Sequence, residues 1–298
     1  MKPLDAKDFR ASRLVLEPGD FAIGSDQPDA PPSDLIDKET WESMMSLPDD
    51  VSIRTSNEYG KTLRTLWFYW DQWNCLVGAL QQASEPLTQC PIAHVACDAS
   101  DELQASIFCS LTGYYRVAFS CLRNVIEQMT VALQLELSDA LALFQNWLDG
   151  QEELKLGWAA DLLPKNASVS ALESQWRITV NDDLFSHRGQ GKQRGGFVRR
   201  LFGDLSAFTH GAPGFTDSDM RNSTGPIFVK EAYERWLTKF RQVYAVGILE
   251  AQIAKPKIRS LAYGSDMTSR SLYNAVLGEL NSGTDGYMLL TSIPTGLW

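Results

Sequence analysis

The sequence predicts an all-α protein: a helical bundle of about four long helices plus accessory helices, with an extended acidic, proline-rich N-terminal arm. Three observations lead there. Apolar residues recur at three- and four-residue steps in four separate segments. No stretch alternates strands with helices as a doubly wound sheet would require. Residues 1–50 hold six of the thirteen prolines, with twelve acidic and five basic side chains, which puts −7 of the net −10 at one end.

The arm is expected over 1–55, because prolines at 18, 28, 31, 32 and 48 oppose one long helix. Residues 13–16 are a candidate short strand. A bundle domain follows over 56–264, and residues 265–298 read as a C-terminal helix and tail packed on it. From Asn57, the positions Leu63, Leu66, Trp67, Trp70, Trp73, Val77 and Leu80 share one helix face running to about Gln82. A longer helix is expected from Ser100 to about Gln134, with Ser100 as cap and Ile107, Leu111, Tyr114, Ala118, Leu122, Val125, Met129 and Leu133 inward.

Residues 138–148 predict a short helix, and 169–179 fit either a strand or a helix. Residues 196–210 predict a helix with Phe197, Val198, Leu201, Phe202, Leu205 and Phe208 inward, ended at His210-Gly211. The last long helix covers 229–254, through Tyr233, Trp236, Phe240 and Val243, and Pro256 stops it. One more helix is expected over 267–280.

No run approaches the roughly eighteen apolar residues of a membrane span, and the first residues lack the apolar centre of a signal peptide. The expectation is a cytoplasmic protein with no membrane partner. Five cysteines, an odd number set mostly in helical patterns, read as free thiols in a reducing compartment.

Arg116, Ser120, Arg123 and Glu127 are spaced by four, three and four, which makes one polar stripe on an otherwise apolar helix. Arg199, Ser206 and His210, spaced by seven and four, make a second stripe. If the stripes face one another, Arg123, Glu127, Ser206 and His210 converge as a candidate catalytic group. In the plainer reading, such a network fixes helix register and His210 is a helix-end cap.

Residues 184–203 contain no carboxylate and five basic side chains, Arg188, Lys192, Arg194, Arg199 and Arg200, with glycines at 189, 191, 195 and 196. Arginines and exposed amides on such a loop suit phosphate oxygens. The spacing is not that of a nucleotide-hydrolysing loop. RNA or single-stranded nucleic acid is the partner class expected, with cover by the acidic arm or plain solvation as the competing readings. Cys90, His94 and Cys97 have a compact ligand-like spacing but lack the second pair of a structural zinc site, so no metal and no cofactor is expected. Trp67, Trp70 and Trp236 could line a small-molecule pocket, though their helical spacing reads as core.

Arg123-Asn-Val-Ile-Glu127, then Leu205-Ser-Ala-Phe-Thr-His210-Gly, then Gly225-Pro-Ile-Phe before a last helix resemble a group of bacterial helical-bundle proteins. Their architecture is similar to that of HEPN domains, which recur in abortive-infection and toxin–antitoxin systems. The resemblance spans about residues 57–254. It implies an RNA-directed antiviral-defence or toxin–antitoxin role, with an arginine and a histidine acting on the phosphodiester as a metal-independent ribonuclease. The ribonuclease signature sets those two residues close together, whereas nine residues separate Arg200 from His210 and Arg177 from His187. The competing expectation is a non-catalytic antitoxin, immunity or assembly subunit whose acidic arm contacts a protein partner, with homo-oligomerisation left open.

Overall fold

A computed structural model describes residues 37–82, 89–180, 182–185, 195–210 and 226–255, apart from the side chains of Gln175, Thr179, Val180 and His210. The architecture is all-α. Among the described residues the helices are α1 (Lys38–Gln82), α2 (Pro91–Leu111), α3 (Tyr115–Leu137), α4 (Leu141–Leu148), α5 (Leu156–Leu162), α6 (Ala167–Val180), α7 (Phe197–His210) and α8 (Lys230–Ala254). The candidate strand at 13–16 and the helix expected over 267–280 lie outside the described residues.

α3 is the centre of the bundle, in contact with α2, α8, α7, α5 and α4. Its sequence explains this position: Phe119, Leu122, Val125, Ile126, Met129, Val131, Leu133 and Leu135 are all fully buried, so apolar side chains point to every side. The core is rich in aromatics, and two of its fully buried indoles have hydrogen-bond acceptors. Trp73 donates its indole N–H to the Ala96 carbonyl at 2.9 Å, and Trp236 donates to Ser106 Oγ at 2.9 Å. α8 lies so close to α1 that a Cβ on Gly247 would sit 2.5 Å from the Trp73 ring.

Two expectations need correction. Residues 38–55 are helical rather than part of an extended arm: α1 begins at Asp37, whose carboxylate accepts the Thr40 N–H at 2.8 Å, and continues through Pro48. The proline removes one intrahelical N–H, and the neighbouring residues Met44 and Leu47 are exposed, so water is at hand for the freed carbonyl. The backbone breaks instead at Tyr59 (φ −122°, ψ 22°).

The helix expected over 100–134 is two helices. Pro91, suited to a first turn by its fixed φ, starts α2, and Gly113 (φ +83°) ends the pair's connection in a turn that a side chain would not fit. A Cβ there would lie 2.6 Å from the Ile227 carbonyl oxygen. Residues 169–179 are helical, because Asn166 caps α6 by accepting the Ser168 N–H at 3.0 Å.

Candidate functional site

α7 runs antiparallel to α3, and this brings the two polar stripes together. Ser206 Oγ accepts a hydrogen bond from Arg123 Nε at 3.1 Å, and Arg123 Nη2 lies 3.2 Å from Glu127 Oε2. The guanidinium carbon also stands 4.8 Å from the centre of the Phe202 ring. Thus Arg123, about a quarter exposed, is fixed by a hydroxyl, a carboxylate and an aromatic face, each suited to a planar cation. Its Nη1 edge has no hydrogen bond among the described residues.

Further along the same contact, Arg116 Nη2 donates to the Thr209 carbonyl at 3.0 Å. This arginine satisfies one of the orphan carbonyls of the last turn of α7. His210 is the last residue of that helix, and its side chain lies outside the described residues. A residue missed by sequence reasoning joins here: Arg235 of α8 lies over the Phe208 ring at 5.7 Å, and Phe208 stacks on Phe119 of α3 at 4.2 Å. Arg116, Arg123 and Arg235 therefore surround the C-terminal half of α7. Only the tertiary fold places Arg235 there.

Arg188, Lys192 and Arg194 lie outside the described residues, but the two ends of their loop do not. Phe197 N–H donates to the Asp183 carbonyl at 2.7 Å and Val198 N–H to the Leu184 carbonyl at 3.0 Å, which closes the loop at its base. Buried Glu173 of α6 accepts the Leu184 and Phe185 N–H groups at 3.1 and 2.6 Å, and Arg177 binds Asp183 at 2.7 Å. Arg200 bridges the two ends by pairing with Asp182 and donating to the Gly195 carbonyl. Arg199 pairs with Asp161 and donates to the Gly157 carbonyl at 2.9 Å. The structure thus gives Arg199 and Arg200 carboxylate partners of their own, where the charge pattern alone made them phosphate ligands. The loop base and Ser206 are about 15 Å apart along α7, from the helical rise of 1.5 Å per residue.

Cys90, His94 and Cys97 diverge. Cys90 Sγ meets Glu136 at 3.3 Å, His94 packs edge-on to Phe144, and Cys97 accepts from Gln81 at 3.3 Å. Among the described residues no three His, Cys, Asp or Glu side chains are grouped to hold a metal ion. Burial raises the thiols of Cys75, Cys97 and Cys109, and burial together with the Glu102 carboxylate pushes Cys121 up to about 12, so none of these four is a ready thiolate.

Of the three tryptophans considered as pocket lining, Trp236 is fully buried in the core and Trp70 donates to the Ser100 carbonyl at 3.2 Å. Trp67 is not core: it is 52% exposed, on the wall of a groove between α1 and α2. No described helix is long and apolar enough to cross a membrane. Comparison of the chain with protein-family models, with curated proteins and with solved structures gives no match.

Proposed function

We propose that this chain binds a phosphate-bearing ligand, RNA foremost, along the α3–α7 face, in a defence or toxin–antitoxin role of the kind that the HEPN resemblance implies. The observation that carries the reading is the fixed guanidinium of Arg123, held by Ser206, Glu127 and Phe202 with its Nη1 edge unused among the described residues. An arginine held in one geometry loses little entropy when it meets a phosphate, and its planar fork matches two phosphate oxygens. The basic loop, closed at its base by Glu173 and Arg200, immediately precedes the same helix in sequence and carries Arg188, Lys192 and Arg194.

In a cleaving version, the RNA 2′-hydroxyl attacks the phosphorus and gives its proton to water, Arg123 stabilises the charge developing on the phosphate, and Glu127 orients Arg123. His210 donates a proton to the leaving 5′-oxygen, which leaves a 2′,3′-cyclic phosphate. The test is gel mobility of RNA and single-stranded DNA with the wild type and an Arg188/Lys192/Arg194 triple alanine variant across a salt series. Salt-sensitive binding that the triple variant loses supports the reading, whereas no retardation by either protein at low salt rejects it.

A second reading, the non-catalytic interaction module, is favoured by one separate observation: an apolar groove between α1 and α2, where Trp67 and Phe108 stand exposed.

A further inference from the structure

The groove between α1 and α2 has a volume of about 530 Å³ and is walled by Leu63, Trp67, Ala105, Phe108 and Leu111, with Asp101 and Gln104 its only polar lining residues. Trp67 is 52% and Phe108 63% exposed, so two of the largest apolar side chains face water side by side on adjacent helices. A contiguous apolar surface of this kind marks an interaction site, and tryptophan is the residue type that most often anchors one. From Gln104 to Leu111 the wall is about 10 Å long, or two helical turns. That length and a straight course between two antiparallel helices suit a third helix laid in the groove.

The charges around it choose the partner. α2 contains Asp98, Asp101 and Glu102 and no lysine or arginine. Asp71 lies one turn beyond Trp67 on α1, and the one basic residue within a turn of Trp67 on that helix is Arg64. Asp71, Asp98 and Asp101 are exposed and make no salt bridge among the described residues. The Asp98 carboxyl is pushed above its ordinary range chiefly by partial burial, with His94 opposing the rise and the Asp101 and Glu102 carboxylates adding to it.

We propose that the α1–α2 groove is a docking site for a cationic amphipathic helix of a partner protein. Its apolar stripe sits between Trp67 and Phe108, and lysine or arginine side chains on its flank meet Asp101, Asp98 and Asp71. The inference does not depend on phosphate binding at the α3–α7 face, because the two surfaces share no residue. A partner carrying such a helix is attracted by the rim charges and held by the aromatic wall, so salt weakens its capture more than its residence.

The test uses the full-length chain and a fluorescently labelled two-heptad peptide of leucine and lysine, with an isomer carrying glutamate for lysine as control, read by anisotropy. Saturable binding of the lysine peptide is expected, weakened about tenfold or more by Phe108→Ser, by Ala105→Glu and by Asp101→Lys, with the glutamate peptide weaker by a similar factor. Ala105 is exposed on the groove wall, so Ala105→Glu keeps the test open if Phe108→Ser fails to fold. Several outcomes overturn the proposal: no saturation by about 1 mM peptide, a range that still detects the weakest specific complexes, or equal binding to the folded variants. A dimer in sedimentation that Ala105→Glu dissociates would assign the groove to a second copy. A rise of about tenfold in peptide affinity on Leu277→Glu would assign it to the chain's own C-terminal segment.

Discussion

Glu250 is the most exacting test of the core. It is fully buried on α8, and burial pushes its carboxyl up from the ordinary 4.5 to about 8. The geometry around it agrees. Thr130 Oγ1 lies 2.7 Å from the Ile126 carbonyl oxygen and 2.7 Å from Glu250 Oε1. A hydroxyl has one hydrogen, and neither a carbonyl nor a carboxylate can donate, so both contacts are satisfied only when Glu250 is protonated and donates to Thr130. A carboxyl whose value is higher in the folded chain than in the unfolded one makes folding take up a proton between the two values. Its stabilisation is complete below about pH 4.5 and is lost as pH rises toward 8.

Glu250→Gln supplies an N–H donor of the same shape that does not titrate. At 1.36 kcal/mol per pH unit, the variant should gain about 3 kcal/mol relative to the wild type between pH 5 and pH 8. Urea unfolding of both proteins at the two pH values measures this directly, and comparing the variant with the wild type cancels every other titrating group. Stability differences that are the same at pH 5 and pH 8 would refute the neutral buried carboxyl.

Other positions give simpler outcomes. Gly113→Ala forces a side chain into a positive-φ turn against the Ile227 backbone and should cost about 2 kcal/mol or more, read as a lower urea midpoint. Gly247→Ala drives a methyl into the Trp73 ring and should destabilise by about 1–3 kcal/mol, with altered tryptophan fluorescence. Glu173→Gln can accept only one of the two N–H groups at the loop base, so it should cost about 1–3 kcal/mol and speed amide exchange at Leu184 and Phe185.

The parts of the fold that depend on local period were legible. The 196–210 and 229–254 helices follow from the inward-facing aromatics and aliphatics of each segment, and the Arg123/Ser206 meeting follows from stripe spacing on two helices that pack together. What escaped depends on partners remote in sequence. Gly113 reads as an ordinary helix interior until Ile227 is seen against it. Pro48 reads as a breaker because the sequence does not show that its neighbours face water. Trp67 belongs by period to the core face, yet Trp70 and Trp73 donate to α2 carbonyls while Trp67 stands half-exposed on the wall of the α1–α2 groove. Arg199 and Arg200 look like free cations because Asp161 and Asp182 lie 38 and 18 residues away.

The central claim is that Arg123 meets phosphate. It is tested most directly by the affinity of a labelled single-stranded RNA for the wild type and for Arg123→Lys and Arg123→Ala across a salt series. Log affinity should fall linearly with log salt in the wild type. Arg123→Ala should weaken binding and flatten that slope by about 0.7, the value for one phosphate contact on a single strand. Arg123→Lys should keep most of the slope but lose affinity, since an ammonium cannot make the paired contact. Wild-type binding that ignores salt, or an Arg123→Ala variant with the wild-type slope and affinity, would contradict the account.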